Sequence, residues 1–206
     1  MKNPFQKIYL ASKSSRQREL LRQIDVAFEL LLLRDQTPRG SDVSEEVLPD
    51  EAPLAYVTRV TMEKARSAHQ MMVRRSLPVR PILAADTTVT IDDKILGKPA
   101  NKGEAVEMLR RLSGRRHQVL TSVAVIHHEQ TWQLTQVSDV LFQQLSDAMI
   151  NAYCETAEPY DKAGGYGIQG PAAIFIETIR GSHSGIMGLP LFETAQLLQQ
   201  AGIRIL

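Results

Sequence analysis

An acid and a base lie near each other in the middle of this sequence. The apolar run Ile82-Leu83-Ala84-Ala85 ends on Asp86, and Lys98 follows twelve residues later in Gly97-Lys98-Pro99. A carboxylate at a strand end can order a metal ion or activate a water, and a lysine restricted by a following proline can meet a phosphate oxygen. A loop acid and a solvated turn lysine are the plainer alternatives. A P-loop is excluded, because Pro99 stands where Ser or Thr would follow Gly-Lys.

Other polar positions could complete such a site. Ser12 precedes a predicted helix that begins near Arg16, where free backbone N–H groups and a guanidinium can bind anions. Lys64 lies on the apolar stripe of a second predicted helix, so its ammonium either reaches the surface or enters a polar cleft. Its neighbour Glu63 points to another face and could serve separately as a metal ligand. A capped helix with solvated arginines is the alternative for the first segment.

The densest glycine segment is Asp161-Lys162-Ala163-Gly164-Gly165-Tyr166-Gly167-Ile168-Gln169-Gly170. It has the glycine spacing of a dinucleotide fingerprint, but a helix precedes it and a strand follows, whereas the fingerprint needs the reverse order. We expect a flexible loop whose backbone approaches a ligand, with Gln169 able to read a base edge through its amide donor and acceptor. A tight connection without a ligand is the alternative.

The composition limits the classes of protein. The chain has 206 residues, 43% of them hydrophobic, and a net charge of +1, so no global field favours nucleic acid or an anionic membrane as partner. The single cysteine, Cys154, excludes an intrachain disulfide and fits the cytoplasm. No apolar run reaches the length of a membrane span or a signal peptide. The histidines form no metal signature, and neither Ser184 nor Cys154 has recognisable triad partners.

The elements that must position these residues alternate between strand and helix. We predict strands at 8–11, 28–33, 82–91, 118–127, 131–145 and 172–180, and helices from near 16 and at 54–73, 103–112, 146–156 and 192–201. The strand 28–33 is expected to be buried, and 37–53 to be an exposed loop. The alternation and the hairpin after 127 favour an α/β fold with a mixed sheet.

Separate segments of the chain resemble one family, the Maf-like nucleoside triphosphate pyrophosphatases. The matching segments occur in family order over nearly the whole chain; they are Leu10-Ala11-Ser12-x-Ser14-x-Arg16-x-x-Glu19-Leu20-Leu21, Glu63-Lys64-Ala65, Ala85-Asp86-Thr87, Gly97-Lys98-Pro99, Leu112-Ser113-Gly114, the glycine segment 161–170, and Gly188-Leu189-Pro190-Leu191. The resemblance implies one domain over residues 1–206. It also implies a mixed twisted sheet with flanking helices and two lobes around a central cleft, as in inosine triphosphate pyrophosphatases.

The resemblance further implies a reaction and a partner. A nucleoside triphosphate is hydrolysed at its α–β bond to the monophosphate and pyrophosphate, with Mg²⁺ or Mn²⁺, by a protein that forms a homodimer. The glycine segment looks like that of the branch acting on dTTP and UTP. By correspondence with the family, Asp86 is the catalytic proton acceptor, the phosphate-site residues are Ser12, Lys64 and Lys98, and the residues tied to substrate choice are Arg16, Thr87 and Gln169. We therefore assign catalysis to Asp86, Lys64 and Lys98, and substrate binding to Ser12, Arg16, Thr87 and Gln169. For the metal we assign Asp86 together with Glu63.

This sequence departs from the family pattern in two places. The first motif usually reads Ser-Gly-Ser-Pro-Arg-Arg, but here Lys13, Ser15 and Gln17 replace the glycine, the proline and the second arginine. The acidic pair after the second strand has Arg34-Asp35 as its nearest equivalent. Two alternatives stay open: the same chemistry on 7-methyl-GTP or a modified purine nucleotide, and a cell-division regulator that binds nucleotide without needing turnover.

Overall fold

A mixed seven-stranded sheet dominates the part of the chain that the structure, a computed structural model, describes: residues 7–34 and 42–205. Its strands are β1 (Lys7–Leu10), β2 (Ala27–Leu30), β3 (Ile82–Ile91), β4 (Lys94–Leu96), β5 (Arg116–His127), β6 (Gln130–Phe142) and β7 (Ile176–Arg180). The spatial order is β2-β1-β3-β5-β6-β7, with β4 paired to β3. The predicted α/β class with a mixed sheet and flanking helices is therefore confirmed.

Four of the six α-helices described begin after a side-chain cap. They are α1 (Ser15–Gln23), α2 (Pro53–Arg74), α3 (Lys102–Leu112), α4 (Asp147–Cys154), α5 (His183–Ile186) and α6 (Leu191–Gln200). The Ser14 side chain accepts a hydrogen bond from the Gln17 backbone N–H, and Pro53 occupies the first turn of α2, where its missing donor costs nothing. In the described ranges, no helix has the length and apolar character needed to cross a membrane.

A crevice opens beside β3 because β1 is much shorter. The two strands run parallel and pair only at Tyr9 with Ile82 and at Leu10 with Leu83, while β3 stays paired with antiparallel β5 from Ile82 through Thr90. After Leu10, which pairs with Leu83, the chain leaves β1 and turns toward α1. Ligands of open α/β sheets bind at such carboxyl ends of parallel strands. Asp86 lies three residues past Leu83, inside β3. The predicted bounds of this strand are confirmed, but the expectation that Asp86 lies at a strand end was wrong.

Helices cover the two faces of the sheet and so decide what each β3 side chain meets. One buried cluster contains Ala65 of α2 with Ala84, and another contains Leu197 of α6 with Ala85. Successive strand residues point to opposite faces, which directs Asp86 toward α2 and Thr87 toward the segment before α6. A third cluster, around Phe142, buries α3 and α4 and supports the glycine segment.

The structure differs from the predicted elements in three places. All four residues of β2 are exposed or half-buried, because β2 is the edge of the sheet, so the prediction of a buried second strand was wrong. Residues Pro171–Phe175 form a 3₁₀ turn, and β7 begins only at Ile176. The short helix α5 was not predicted. The predicted loop 37–53 is exposed from residue 42 to 50 except at half-buried Val43, and its residues 37–41 lie outside the described part of the chain.

Candidate active site

A cleft of about 1040 Å³ lies where β3, the N-terminus of α1, α2 and the glycine segment meet. Its lining brings together side chains that are far apart in the sequence. They include the predicted residues Ser12, Arg16, Lys64, Asp86, Thr87, Lys98 and Gln169. The cleft therefore collects carboxylate, ammonium, guanidinium and amide groups at one place.

Lys64 joins two carboxylates at the α2 side of the cleft. Its Nζ lies 2.5 Å from Asp86 Oδ1 and 2.7 Å from Glu45 Oε1. The Lys64 and Asp86 side chains are 17% and 16% exposed, whereas that of Glu45 is 51% exposed. Of the two outcomes considered for Lys64, the structure has the one in which the ammonium enters a polar cleft.

The pKa values of Asp86 and Lys64 are both above their ordinary values, but for different reasons. Burial raises the pKa of Asp86, and the Lys64 ammonium beside it offsets only part of that effect. Burial lowers the pKa of Lys64, but the Asp86 and Glu45 carboxylates outweigh it, so the net shift of the Lys64 pKa is also upward. A carboxylate with a raised pKa is a stronger base, and a protonated lysine is a fixed positive charge.

Glu45, and not Glu63, is the acid that joins Asp86 at Lys64. Glu63 precedes Lys64 by one position on α2 and so lies about 100° away around the helix. Its carboxylate lies 3.3 Å from Arg59 Nη1, outside the cleft lining. Asp35, of the predicted acidic pair, lies outside the described residues, and Arg34 lines the cleft. No local signal separates Glu45 from Glu46 in the sequence, so only the tertiary structure identifies it.

The two carboxylates are a donor set suited to a small hard cation. Within residues 7–34 and 42–205, no three His, Cys, Asp or Glu side chains form a group that could hold a metal ion alone. Mg²⁺ is usually held by one or two carboxylates, with substrate phosphates and waters completing its shell. Because Asp86 and Glu45 converge on the same ammonium, their carboxylate oxygens lie close enough together to act as ligands of one cation.

Cationic groups face these acids across the cleft. Arg16 lies in the first turn of α1, and Lys98 follows β4 with its side chain exposed to the cleft. Ser12 Oγ accepts a hydrogen bond of 3.1 Å from the Ser14 N–H, which shapes the turn before the helix. The N-terminus of a helix, with a guanidinium beside it, can bind phosphate.

The opposite side of β3 carries a hydroxyl and amide network. The hydroxyls of Thr87 and Thr121 are 2.9 Å apart, and Thr121 Oγ1 donates to the Gly185 carbonyl at 2.7 Å. Gln17 is buried, and its Nε2 donates to the Gly188 carbonyl at 2.9 Å. Thus the residue that replaces the second arginine of the family motif uses its side-chain amide to bind backbone at the edge of the cleft.

The glycine segment is anchored and forms short 3₁₀ turns, unlike the flexible loop predicted. Gly164 has a φ of +70° and donates its N–H to the Gly97 carbonyl at 3.0 Å, which ties this segment to the turn carrying Lys98. Tyr166 is buried, and its hydroxyl lies 2.8 Å from Nε2 of His117. Gln169 is left exposed at the cleft, where its amide can reach a ligand.

Comparisons with known proteins identify the family of this chain. The family model described as Maf-like protein matches residues 7–201. The dTTP/UTP pyrophosphatase of Nitrosomonas europaea is 49% identical over 198 residues, which cover 96% of each chain. That of Burkholderia lata is 53% identical over 201 residues, covering 97% of this chain and 95% of its own. This chain therefore belongs to the Maf-like family. The predicted class, a nucleoside triphosphate pyrophosphatase, agrees with the names of these relatives.

One solved structure was also found to be similar. The Staphylococcus aureus Ham1 protein aligns with 66% of this chain and 71% of its own, with a TM-score of 0.45 and 12% identity.

Proposed function

We propose that this protein hydrolyses dTTP and UTP to the monophosphate and pyrophosphate. Its relatives are nucleotide pyrophosphatases by name and match it over nearly their full length. The observation that carries the chemistry is the buried Asp86 at the cleft, with its raised pKa and its ion pair to Lys64. A carboxylate of raised pKa can accept a proton from water, and the cationic side chains beside it can stabilise a triphosphate that the water attacks.

Each group has a role that follows from its chemistry. Asp86 orients the attacking water and accepts its proton as the new phosphorus–oxygen bond forms and the α–β bond breaks. Lys64 keeps the Asp86 carboxylate in place and, with Arg16 and Lys98, stabilises the negative charge that develops on the phosphates.

A divalent cation held by Asp86 and Glu45 would supply charge neutralisation of the triphosphate. We propose Mg²⁺ or Mn²⁺, because both accept carboxylate and phosphate oxygens. The donor set of the cleft supports this choice.

Selection of the base is assigned to the other end of the cleft. Gln169 presents an amide donor and acceptor, which match the carbonyl and N–H groups of thymine and uracil. Thr87 faces the Gly188 side, where the close approach of that backbone limits the space. The names of the relatives support pyrimidine substrates.

The test is a substrate panel with product identification. Purified protein is given dTTP, UTP, dCTP, GTP and 7-methyl-GTP with Mg²⁺ or Mn²⁺, and monophosphate, pyrophosphate and orthophosphate are separated by anion exchange. We expect pyrophosphate from dTTP and UTP and a loss of about 10²- to 10⁴-fold in kcat for Asp86→Asn. Asp139→Asn is the matched control, because Asp139 lies on β6 outside the cleft lining.

Three results would contradict the proposal. Release of orthophosphate would exclude cleavage at the α–β bond. Preference for 7-methyl-GTP would favour the purine alternative. Nucleotide binding without pyrophosphate release would favour the regulator.

A further inference from the structure

We propose that Tyr56 and Arg59 are positioning residues that hold Glu45 in the cleft and thereby set the affinity for the divalent cation. Both lie on α2 before Lys64, and neither lines the cleft. The inference rests on the proposed role of Glu45 as a metal ligand.

The segment that carries Glu45 has no regular structure of its own. Residues 42–52 form a connection before α2 that is mostly exposed, with Val43 and Glu51 half-buried. Keeping the backbone of such a segment in a single conformation costs conformational entropy. A carboxylate on it therefore needs external contacts to be ready for a ligand.

Tyr56 supplies the contact nearest to Glu45. Its hydroxyl donates a hydrogen bond of 3.0 Å to the backbone carbonyl of Glu45 itself. The ring is buried in the same cluster as Val57, Val60 and Leu120, against which Val43 packs. Because the ring cannot move freely, its hydroxyl fixes the carbonyl of Glu45 relative to the sheet.

Arg59 holds the residues that follow. Its Nη2 donates to the Glu46 carbonyl at 2.9 Å, and its Nε and Nη2 bind the two carboxylate oxygens of Glu51 at 2.7 and 2.9 Å. Glu51 Oε2 in turn accepts from the Leu48 N–H at 3.0 Å. The planar guanidinium thus joins both ends of the segment 46–51, which a lysine ammonium cannot do in the same geometry.

The position of Glu45 sets the distance between the two carboxylates proposed to bind the metal. Glu45 Oε1 is 2.7 Å from Lys64 Nζ, which also meets Asp86, so a small shift of the segment would separate the two carboxylates. Side chains that orient metal ligands typically change metal affinity by about 10- to 100-fold when removed. Tyr56 and Arg59 orient the proposed ligand Glu45 in this way, although they touch neither the proposed cation nor the substrate.

The experiment measures Mn²⁺ binding directly. Free Mn²⁺ is followed by its electron paramagnetic resonance signal in the presence of α,β-methylene-dTTP, for wild type, Tyr56→Phe and Arg59→Lys. We expect a dissociation constant raised about 5-fold by Tyr56→Phe, which loses one hydrogen bond, and about 10-fold by Arg59→Lys. Arg110→Lys is the matched control, because Arg110 binds Asp147 through Nε and Nη2 away from Glu45, and its constant should stay within about 2-fold of wild type.

A double-mutant cycle tests whether the effect passes through Glu45. In a Glu45→Gln background, Tyr56→Phe and Arg59→Lys should no longer weaken Mn²⁺ binding, because residues that act through a common partner are not additive. Unchanged binding in both single variants, or an equal loss with and without Glu45, would overturn the inference. Absence of pyrophosphate release by the wild type would instead refute the proposed function, since Mn²⁺ binding to the analogue requires no turnover.

Discussion

A buried histidine behind the glycine segment predicts how the stability of this protein depends on pH. His117 is 2% exposed, and its Nε2 meets the hydroxyl of buried Tyr166. Burial disfavours the charged imidazolium and lowers the pKa of His117 to about 4. In the unfolded chain the pKa of histidine is about 6.5. Between these two values the unfolded state binds more protons, so stability falls as pH falls.

The magnitude follows from the two pKa values. A difference of one pH unit corresponds to about 1.4 kcal/mol, so the full effect is about 3 kcal/mol and is reached only below about pH 4. At pH 7 the contribution of His117 is present almost in full, since both states are mainly neutral there. At pH 5 the unfolded imidazole is protonated and the folded one is mainly neutral, which removes about 2 kcal/mol from the free energy of unfolding.

Urea unfolding at pH 7 and pH 5 measures this loss, with the fluorescence of Trp132, the single tryptophan, as the signal. Wild type should lose about 2 kcal/mol more than His117→Gln between these pH values, because glutamine can still bond to Tyr166 but does not titrate. His127→Gln is the control: burial also lowers the pKa of His127, which is less buried, and this variant should keep most of the wild-type loss. Equal losses in wild type and His117→Gln would refute the reasoning.

Three shorter predictions concern the cleft and the glycine segment beside it. Because burial raises the pKa of Asp86 in the free protein, the acidic limb of kcat/KM against pH, which reports the free enzyme, should lie above the ordinary aspartate range; a limb within that range would contradict its role as base. Gln17→Arg should not lower KM for dTTP and should destabilise by about 1–3 kcal/mol in urea unfolding, because Gln17 is buried against the Gly188 carbonyl; a lower KM would contradict this. Gly164→Ala should destabilise by about 2 kcal/mol or more, since its Cβ would lie 2.9 Å from Val89 Cγ1 at a φ of +70°. Gly97→Ala, where a Cβ meets nothing within 4 Å, is the control, and equal unfolding midpoints for the two variants would contradict the prediction.

Elements with long, clear periodicity were predicted well. The bounds of β3 match, and α2 runs from Pro53 to Arg74 against a prediction of 54–73, because local patterning carries the information for long elements. The exposure of β2 could not be predicted, since an edge position depends on which strands pair across the sheet. The 3₁₀ turn before β7 was missed for the same reason: Ala172 to Phe175 read as a strand, but β6 offers a partner only from Ile176 onward.

The sequence by itself determined which kinds of group the site contains. Its short motifs predicted the Maf-like family, the acid at Asp86 and the unusual lysine on an apolar helical stripe. The tertiary structure alone decided which acids share the cleft: Glu45 meets Lys64, while Glu63 meets Arg59. Local geometry sets the direction of a side chain, whereas the element it meets depends on long-range packing. The position of Glu45 depends on contacts made by α2, so no pattern within residues 42–52 could reveal it.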